Sequence, residues 1–251
     1  MPRAALVTGG ARRIGRALVL ALAEEGFAVA LHYHRSREEA ESLADAIRKN
    51  GGKAIALAAD LADEEGVRTL LPRAEDALGP IGCLVNNASY FGEDTALTAT
   101  RESWEAHLKI NLRAPFLLIQ DFARRLPAPC GGVIVNLLDE RVWNLTPYFL
   151  SYTLSKAGLW TLTQTMALAL APRIRVNGIG PGPTLPSPRQ GAQEFARQCE
   201  TMPLKRGTSP AEVAAALKYI LSAPAMTGQM IALDGGQHLG WAQPQFAPEP
   251  E

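Results

Sequence analysis

The 251-residue sequence predicts one α/β domain, a seven-stranded parallel sheet with helices on both faces, and three observations carry that expectation. Short β-type runs alternate with longer helical patterns from end to end. The runs are almost continuously apolar, as strands are when helices cover both faces of a sheet. Composition is that of a globular chain, 47% hydrophobic and 20% charged, and roughly 150 residues per domain leaves room for one large domain.

In chain order, strands are expected at Ala4–Val7, Ala28–Tyr33, Lys53–Ala58, Cys83–Asn86, Val133–Leu137, Arg175–Gly178 and Met230–Leu233. Between them, helical periodicity covers Ile14–Glu25, Glu38–Lys49, Glu64–Leu78, Arg101–Arg125, Tyr152–Ala171 and Ala211–Ser222. The last of these opens on Thr208-Ser209-Pro210-Ala211-Glu212, which combines a capping candidate, an early Pro and an early acid. Residues 181–209 break the rhythm. The stretch Pro181–Pro210 carries Pro181, Pro183, Pro186, Pro188, Pro203 and Pro210 around a short helical piece, Ala192–Cys199, and is read as a lid over a ligand site. The domain is expected to span residues 1–239. The proline-rich tail, residues 240–251, is expected to fray unless a partner subunit captures Trp241 or Phe246.

Lys+Arg and Asp+Glu balance at 25 each, so there is no electrostatic footprint for nucleic acid or an anionic membrane. The longest apolar stretches, Ala17–Ala23 and Phe27–Leu31, stop well short of the roughly 20 residues of a membrane span. Met1-Pro2-Arg3 leads straight into a strand without a signal-peptide core. Cys83, Cys130 and Cys199 are an odd, scattered set without a CxxC pair, which argues against a disulfide framework or a zinc site and for a reducing cytoplasm.

The first strand runs into Thr8-Gly9-Gly10-Ala11-Arg12-Arg13-Ile14-Gly15 and then an amphipathic helix. Glycines let backbone approach a pyrophosphate, and the helix N-terminus offers it free N–H groups and a positive dipole end. A tight strand-to-helix turn needs glycine in any case, so the second strand decides. It ends in His32-Tyr33-His34-Arg35-Ser36, where the adenosine ribose of a dinucleotide would lie. An acid there would bind a 2′-hydroxyl; Arg35 and Ser36 suit a 2′-phosphate, so NADPH is expected as cofactor. Asp60-Leu61 after the third strand and Asn86-Asn87-Ala88-Ser89 after the fourth stand where ligands collect in an open parallel sheet.

Tyr152-Thr153-Leu154-Ser155-Lys156 puts a phenol and an ammonium four residues apart on one helix face. A phenol ionises near about 10, and a nearby cation is expected to bring it down toward a useful range. Taken together, Thr8-Gly9, Gly15, Asp60, Asn86-Asn87-Ala88, Asn111, Tyr152, Lys156 and Pro181-Gly182 resemble the short-chain dehydrogenase/reductase superfamily over essentially the whole chain, Arg3 to about Leu239. That resemblance implies a Rossmann-type fold, a Tyr that exchanges a proton with substrate, and a Lys that lowers its pKa and binds the nicotinamide ribose. It also implies cofactor contacts from Gly9, Arg13, Ile14, Gly15, His34, Arg35, Ser36, Asp60, Leu61, Asn87, Ala88, Ser89, Lys156, Pro181, Gly182 and Thr184.

Two departures narrow the resemblance. The superfamily pattern TGxxxGxG has Arg13 for its middle Gly, and the catalytic Ser expected thirteen residues before the Tyr is Asp139. In both the sequence is similar to the pteridine reductases, which implies a catalytic set of Asp139, Tyr152 and Lys156. Ser89 and Phe91 would then contact a pterin, Phe91 by stacking, with Arg13 between cofactor phosphate and substrate. The chemistry agrees, because reducing a ring C=N must deliver a proton to nitrogen, which an Asp beside the Tyr can supply through the phenol. The expected activity is NADPH-dependent reduction of a dihydropterin or dihydrofolate. The alternatives are a carbonyl reductase of the 3-oxoacyl type and a catalytically silent dinucleotide-binding regulator. A homotetramer is expected from the resemblance and from Phe116, Leu117, Trp160 and Leu162, which look too many for one inner helix face.

Overall fold

Strands Ala4–Val7 (β1), Ala28–Tyr33 (β2), Ala54–Ala58 (β3), Ile81–Asn86 (β4), Gly132–Leu137 (β5), Ile174–Pro181 (β6) and Met230–Leu233 (β7) form one sheet in the computed structural model. Every neighbouring pair is parallel, in the order β3-β2-β1-β4-β5-β6-β7. The structure describes residues 1–186 and 190–240; the expectations placed on Pro188, Trp241 and Phe246 lie outside them.

Helices Arg13–Glu24 (α1), Arg37–Lys49 (α2) and Pro210–Ser222 (α8) cover one face, where Leu18, Leu22, Leu43, Leu217 and Ile220 pack on Val7, Val29 and Leu31. Glu64–Leu78 (α3), Ala114–Arg125 (α5) and Leu150–Leu170 (α6) cover the other, where Leu70, Leu118, Phe122 and Ala167 meet Leu6, Leu84 and Ile134. Burying a Leu or Phe side chain is worth about 1.5–3 kcal/mol, so the alternation of faces along each strand fixes which helix lies where. Ser209 and Glu212 close a capping box at the start of α8, with Pro210 in the first turn. Ala192–Glu200 (α7) sits in the excursion between β6 and β7.

The helix expected at Arg101–Arg125 is three pieces: Arg101–Leu108 (α4), a π-helical turn Lys109–Arg113, and α5. A π turn inserts one extra residue per turn and re-aims the side chains within it, here the fully buried Asn111. β6 extends past the expected Gly178 because Gly178-Ile179-Gly180-Pro181 pair with Met230–Leu233 of β7. Leu117 does not face outward; it lies in the core, and Phe116, Trp160 and Leu162 pack against core clusters. Of the four residues invoked for an assembly surface, Leu117 is thus core, while Phe116, Trp160 and Leu162 remain partly exposed. No helix among the described residues is long and apolar enough to cross a membrane.

Candidate active site

β1 and β4 are neighbours whose following chains turn to opposite faces of the sheet, the switch point where an open α/β sheet leaves a crevice. The two chain ends are tied together there. Thr8 Oγ1 accepts from the Asn87 and Ala88 N–H groups at 3.0 Å, and Asn87 Nδ2 donates to the carbonyls of Thr8 and Gly9 at 2.8 and 3.0 Å. Gly9 adopts φ +62°, and a Cβ on Gly15 would stand 2.0 Å from the Gly9 carbonyl, so neither position admits a side chain. The Gly9 N–H donates to His32 Nδ1 at 3.1 Å, and the other ring nitrogen lies 3.1 Å from the Ala59 carbonyl. Burial brings the His32 pKa down to about 4, so the neutral ring staples the glycine turn to the ends of β2 and β3.

A cleft of about 430 Å³ opens beside this turn, within the range of small-molecule sites. Gly9, Arg13, Ile14, Gly15, His34, Arg35, Ser36, Asp60, Leu61, Asn87, Ala88 and Ser89 all line it, as does Arg12. No side chain caps α1 and its first turn holds no acid, which suits its first N–H groups to an anion. With Arg12 and Arg35 among them, these residues fit a dinucleotide that carries a 2′-phosphate. Arg12, paired with Glu39 at 3.5 Å, was not among the residues expected here; the doublet Arg12-Arg13 in the turn was the available sign. Arg13 holds φ +53°, a conformation that costs a non-glycine residue about 1–2 kcal/mol, and its guanidinium donates to the carbonyls of Leu185 and Pro186. Lys156, Pro181, Gly182 and Thr184 do not line this cleft. Lys156 is buried and donates to the Leu137 carbonyl at 2.8 Å, while Gly182 packs on Asp234 and carries the Thr184 hydroxyl on its own carbonyl.

Where β5 ends, Asp139 and Tyr152 meet: the phenol donates to Asp139 Oδ2 at 2.7 Å. The phenol pKa is not lowered as the Tyr–Lys spacing suggested. Burial and the charge of Asp139 push it well above its ordinary value. The cation that was to lower it stands 5.7 Å from the phenol ring, is committed to Leu137, and is itself brought down to about 8 by burial. Asp139 is held from its other side by Arg141, whose backbone N–H donates to Oδ1 at 3.0 Å and whose Nη1 reaches both carboxylate oxygens at 3.2 and 3.4 Å.

Aromatic rings wall this pair. Phe91 meets Tyr152 edge-on, with centroids 4.7 Å apart, and stacks on Phe149 at 4.7 Å and 16°. Phe149 holds φ +59° at the start of α6, and Arg141 lies over its ring at 5.3 Å. The loop that carries Ser89 and Phe91 is fixed from behind. Asn111 Oδ1 accepts from the Tyr90 N–H at 2.8 Å, the Asn111 amide donates to the Tyr90 carbonyl at 2.9 Å, and buried His107 accepts from the Gly92 N–H at 2.9 Å. Glu140, Arg141, Phe149 and His107 were not singled out beforehand. The first three sit on irregular backbone, which leaves no periodic trace in sequence, and His107 is one position of the regular helix α4 with nothing in its spacing to mark it.

The family model described as Enoyl-(Acyl carrier protein) reductase matches residues 9–238. Among solved structures, the FolM alternative dihydrofolate reductase 1 of Brucella suis, in complex with NADP, is 49% identical with a TM-score of 0.93 and covers 97% of this chain and 98% of its own. A blue fluorescent protein from a metagenomic library, in complex with NADPH, is 30% identical with a TM-score of 0.87, over 93% of this chain and 97% of its own. Among curated relatives, the 3-oxoacyl-[acyl-carrier-protein] reductase FabG of Staphylococcus epidermidis is 31% identical over 95% of this chain and 100% of its own length.

Proposed function

The chain belongs to the short-chain dehydrogenase/reductase superfamily, and on that premise we propose that it is an NADPH-dependent pteridine reductase converting a dihydropterin or dihydrofolate to the tetrahydro form. The observation that carries this reading is the 2.7 Å contact between the Tyr152 phenol and Asp139 beneath the ring of Phe91. The 49% identity to a dihydrofolate reductase that binds NADP supports it.

When bound along the glycine turn, the cofactor supplies a hydride. The turn, with the first N–H groups of α1, would hold its pyrophosphate, and Arg12 and Arg35 would hold the 2′-phosphate. Phe91, 39% exposed, offers one face on which a pterin stacks, with Ser89 beside it as a hydrogen-bonding group. Tyr152, its phenol kept protonated across neutral pH, gives its proton to the ring nitrogen. Asp139, whose side chain is 13% exposed, restores that proton from solvent. A ketone oxygen and a ring nitrogen each take up one proton with the hydride; the carboxylate behind the phenol, standing where a hydroxyl donor to a carbonyl would be expected, is what supports the ring nitrogen as the acceptor.

The 31% identity to FabG favours a second reading, reduction of a 3-oxoacyl thioester. Oxidation of NADPH by the native enzyme, followed in parallel with a dihydropterin, dihydrofolate and an acetoacetyl thioester, separates the two. A pteridine reductase turns over one of the first two with kcat/KM at least about tenfold above the thioester, a difference of about 1.4 kcal/mol in transition-state binding. A faster thioester would replace the pteridine reading with the carbonyl one.

A further inference from the structure

Glu140 has no place in the chemistry above, yet it is among the most unusual side chains of the molecule. It is 2% exposed, follows Asp139 directly on a single 3-10 turn, Glu140–Val142, and its Oε2 is buried without a hydrogen-bond partner among the described residues. Its Oε1 lies 3.8 Å from Arg141 Nη1, the same nitrogen that holds Asp139 at 3.2 Å. One guanidinium nitrogen thus serves two carboxyl groups at unequal distances. An ionised carboxylate with an orphaned, dehydrated oxygen is far costlier to bury than a neutral acid.

We propose that Glu140 and Arg141 are positioning residues of the Asp139–Tyr152 pair: Arg141 clamps Asp139 and braces the Phe149–Phe91 wall, and Glu140, as a neutral acid, leaves that guanidinium to Asp139. The inference rests on Asp139 and Tyr152 being the proton-delivering groups. The charged and titratable groups facing Glu140 are Asp139 and Arg141 on its own turn and Asp234 after β7, whose carboxylate is taken up by His238 at 2.7 Å; Tyr152 of α6 faces Arg141. Burial, Asp139 and Asp234 push the Glu140 carboxyl up and Arg141 pulls it down, leaving it at about 8. Below that value Glu140 is neutral and Arg141 belongs to Asp139. Above it a second carboxylate competes for the same nitrogen, Asp139 loses its clamp, and turnover falls. Arg141 also reaches the aromatic wall through Phe149, so its loss acts on substrate binding as well as on proton delivery.

The test compares kcat at about pH 9 with kcat at about pH 6.5 in the native enzyme and in Glu140→Gln, which keeps the shape and cannot ionise. Lys156, which titrates in the same window, contributes equally to both enzymes and cancels between them. The expected result is a high-to-low pH ratio at least about threefold larger in Glu140→Gln, and equal ratios overturn the role of Glu140. Arg141→Met should lower kcat by about tenfold or more and raise KM, because it removes both a charged hydrogen bond and the support of the wall. Native values in that variant overturn the role of Arg141.

If Glu140→Gln does not fold, the side-chain carboxyl 13C resonance of Glu140 in the native protein decides: a midpoint above about 7 supports the proposal, and a lower one overturns it. The substrate used is whichever one the native enzyme reduces. Absence of dihydropterin turnover therefore refutes the pteridine reading alone, and the carboxyl titration stands or falls apart from it.

Discussion

Replacing Asp139 by Ala or Tyr152 by Phe lowers kcat for a dihydropterin by more than about 10², and the double replacement costs little more than the worse single one. The reason is geometric. The phenol donates to Asp139 Oδ2 at 2.7 Å, so one proton path runs through both groups and is cut by the loss of either. Tyr152→Phe removes the donor itself. Asp139→Ala leaves a buried phenol with no group to refill it, and strips Arg141 of the carboxylate it grips with Nη1 and its own N–H. Steady-state NADPH oxidation by the two single variants and the double gives the comparison directly. Losses that multiply in the double variant would mean that Asp139 and Tyr152 act independently, and the relay would fall.

Cofactor choice carries the second large effect: NADPH is preferred over NADH by at least about tenfold, which takes only about 1.4 kcal/mol when one charged hydrogen bond to a phosphate supplies about 1.5–3. Arg35 and Ser36 line the cleft at the end of β2, where an NAD-specific site would present an acid. Arg35→Asp exchanges the guanidinium for a carboxylate that repels a 2′-phosphate and suits a 2′-hydroxyl, so the preference reverses or disappears. Arg12, exposed and paired with Glu39 at 3.5 Å, keeps part of the phosphate affinity in that variant, and the full effect needs both arginines removed. Equal use of the two cofactors by the native enzyme would remove the assignment of Arg35 and Arg12.

Much of this architecture was legible in the residues because burial writes a regular pattern. Ala28–Tyr33 and Met230–Leu233 are bounded as expected, since apolar strands between polar turns have one reading in a sheet covered on both faces. That the residues after β1, β2, β3 and β4 would share one cleft was legible for the same reason, because its lining sits on the turns that follow those strands. Irregular backbone wrote no such pattern. The π turn at Lys109–Arg113 lies inside an unbroken helical periodicity, so neither the break nor the inward turn of Asn111 could be seen. The glycines and proline that end β6 read as loop, yet they are a strand because β7 lies beside them to pair with it.

The electrostatics of the Asp139–Tyr152 pair were the least legible. The Tyr152/Lys156 spacing correctly sets two side chains on one helix, but it carries no information about burial, about the Leu137 carbonyl that takes the ammonium, or about Asp139 arriving from β5. Burial and Asp139 push the phenol pKa up and not down. For a reductase the upward direction is the useful one, because the proton donor must enter the reaction protonated. Arg141 and Phe149 show the same limit: each sits beside the site through a 3-10 turn and a left-handed residue, and neither feature is periodic.

The most direct measurement is the ratio of kcat/KM for a dihydropterin to that for an acetoacetyl thioester, in the native enzyme and in Asp139→Ser, because the central claim is that Asp139 makes this site a pteridine reductase. Ser restores the hydroxyl donor that suits a ketone and removes the carboxylate that recharges Tyr152. The predicted result is a native ratio above about ten that falls by more than about 10² in the variant. Full dihydropterin activity in Asp139→Ser, or a native enzyme that prefers the thioester, would contradict it.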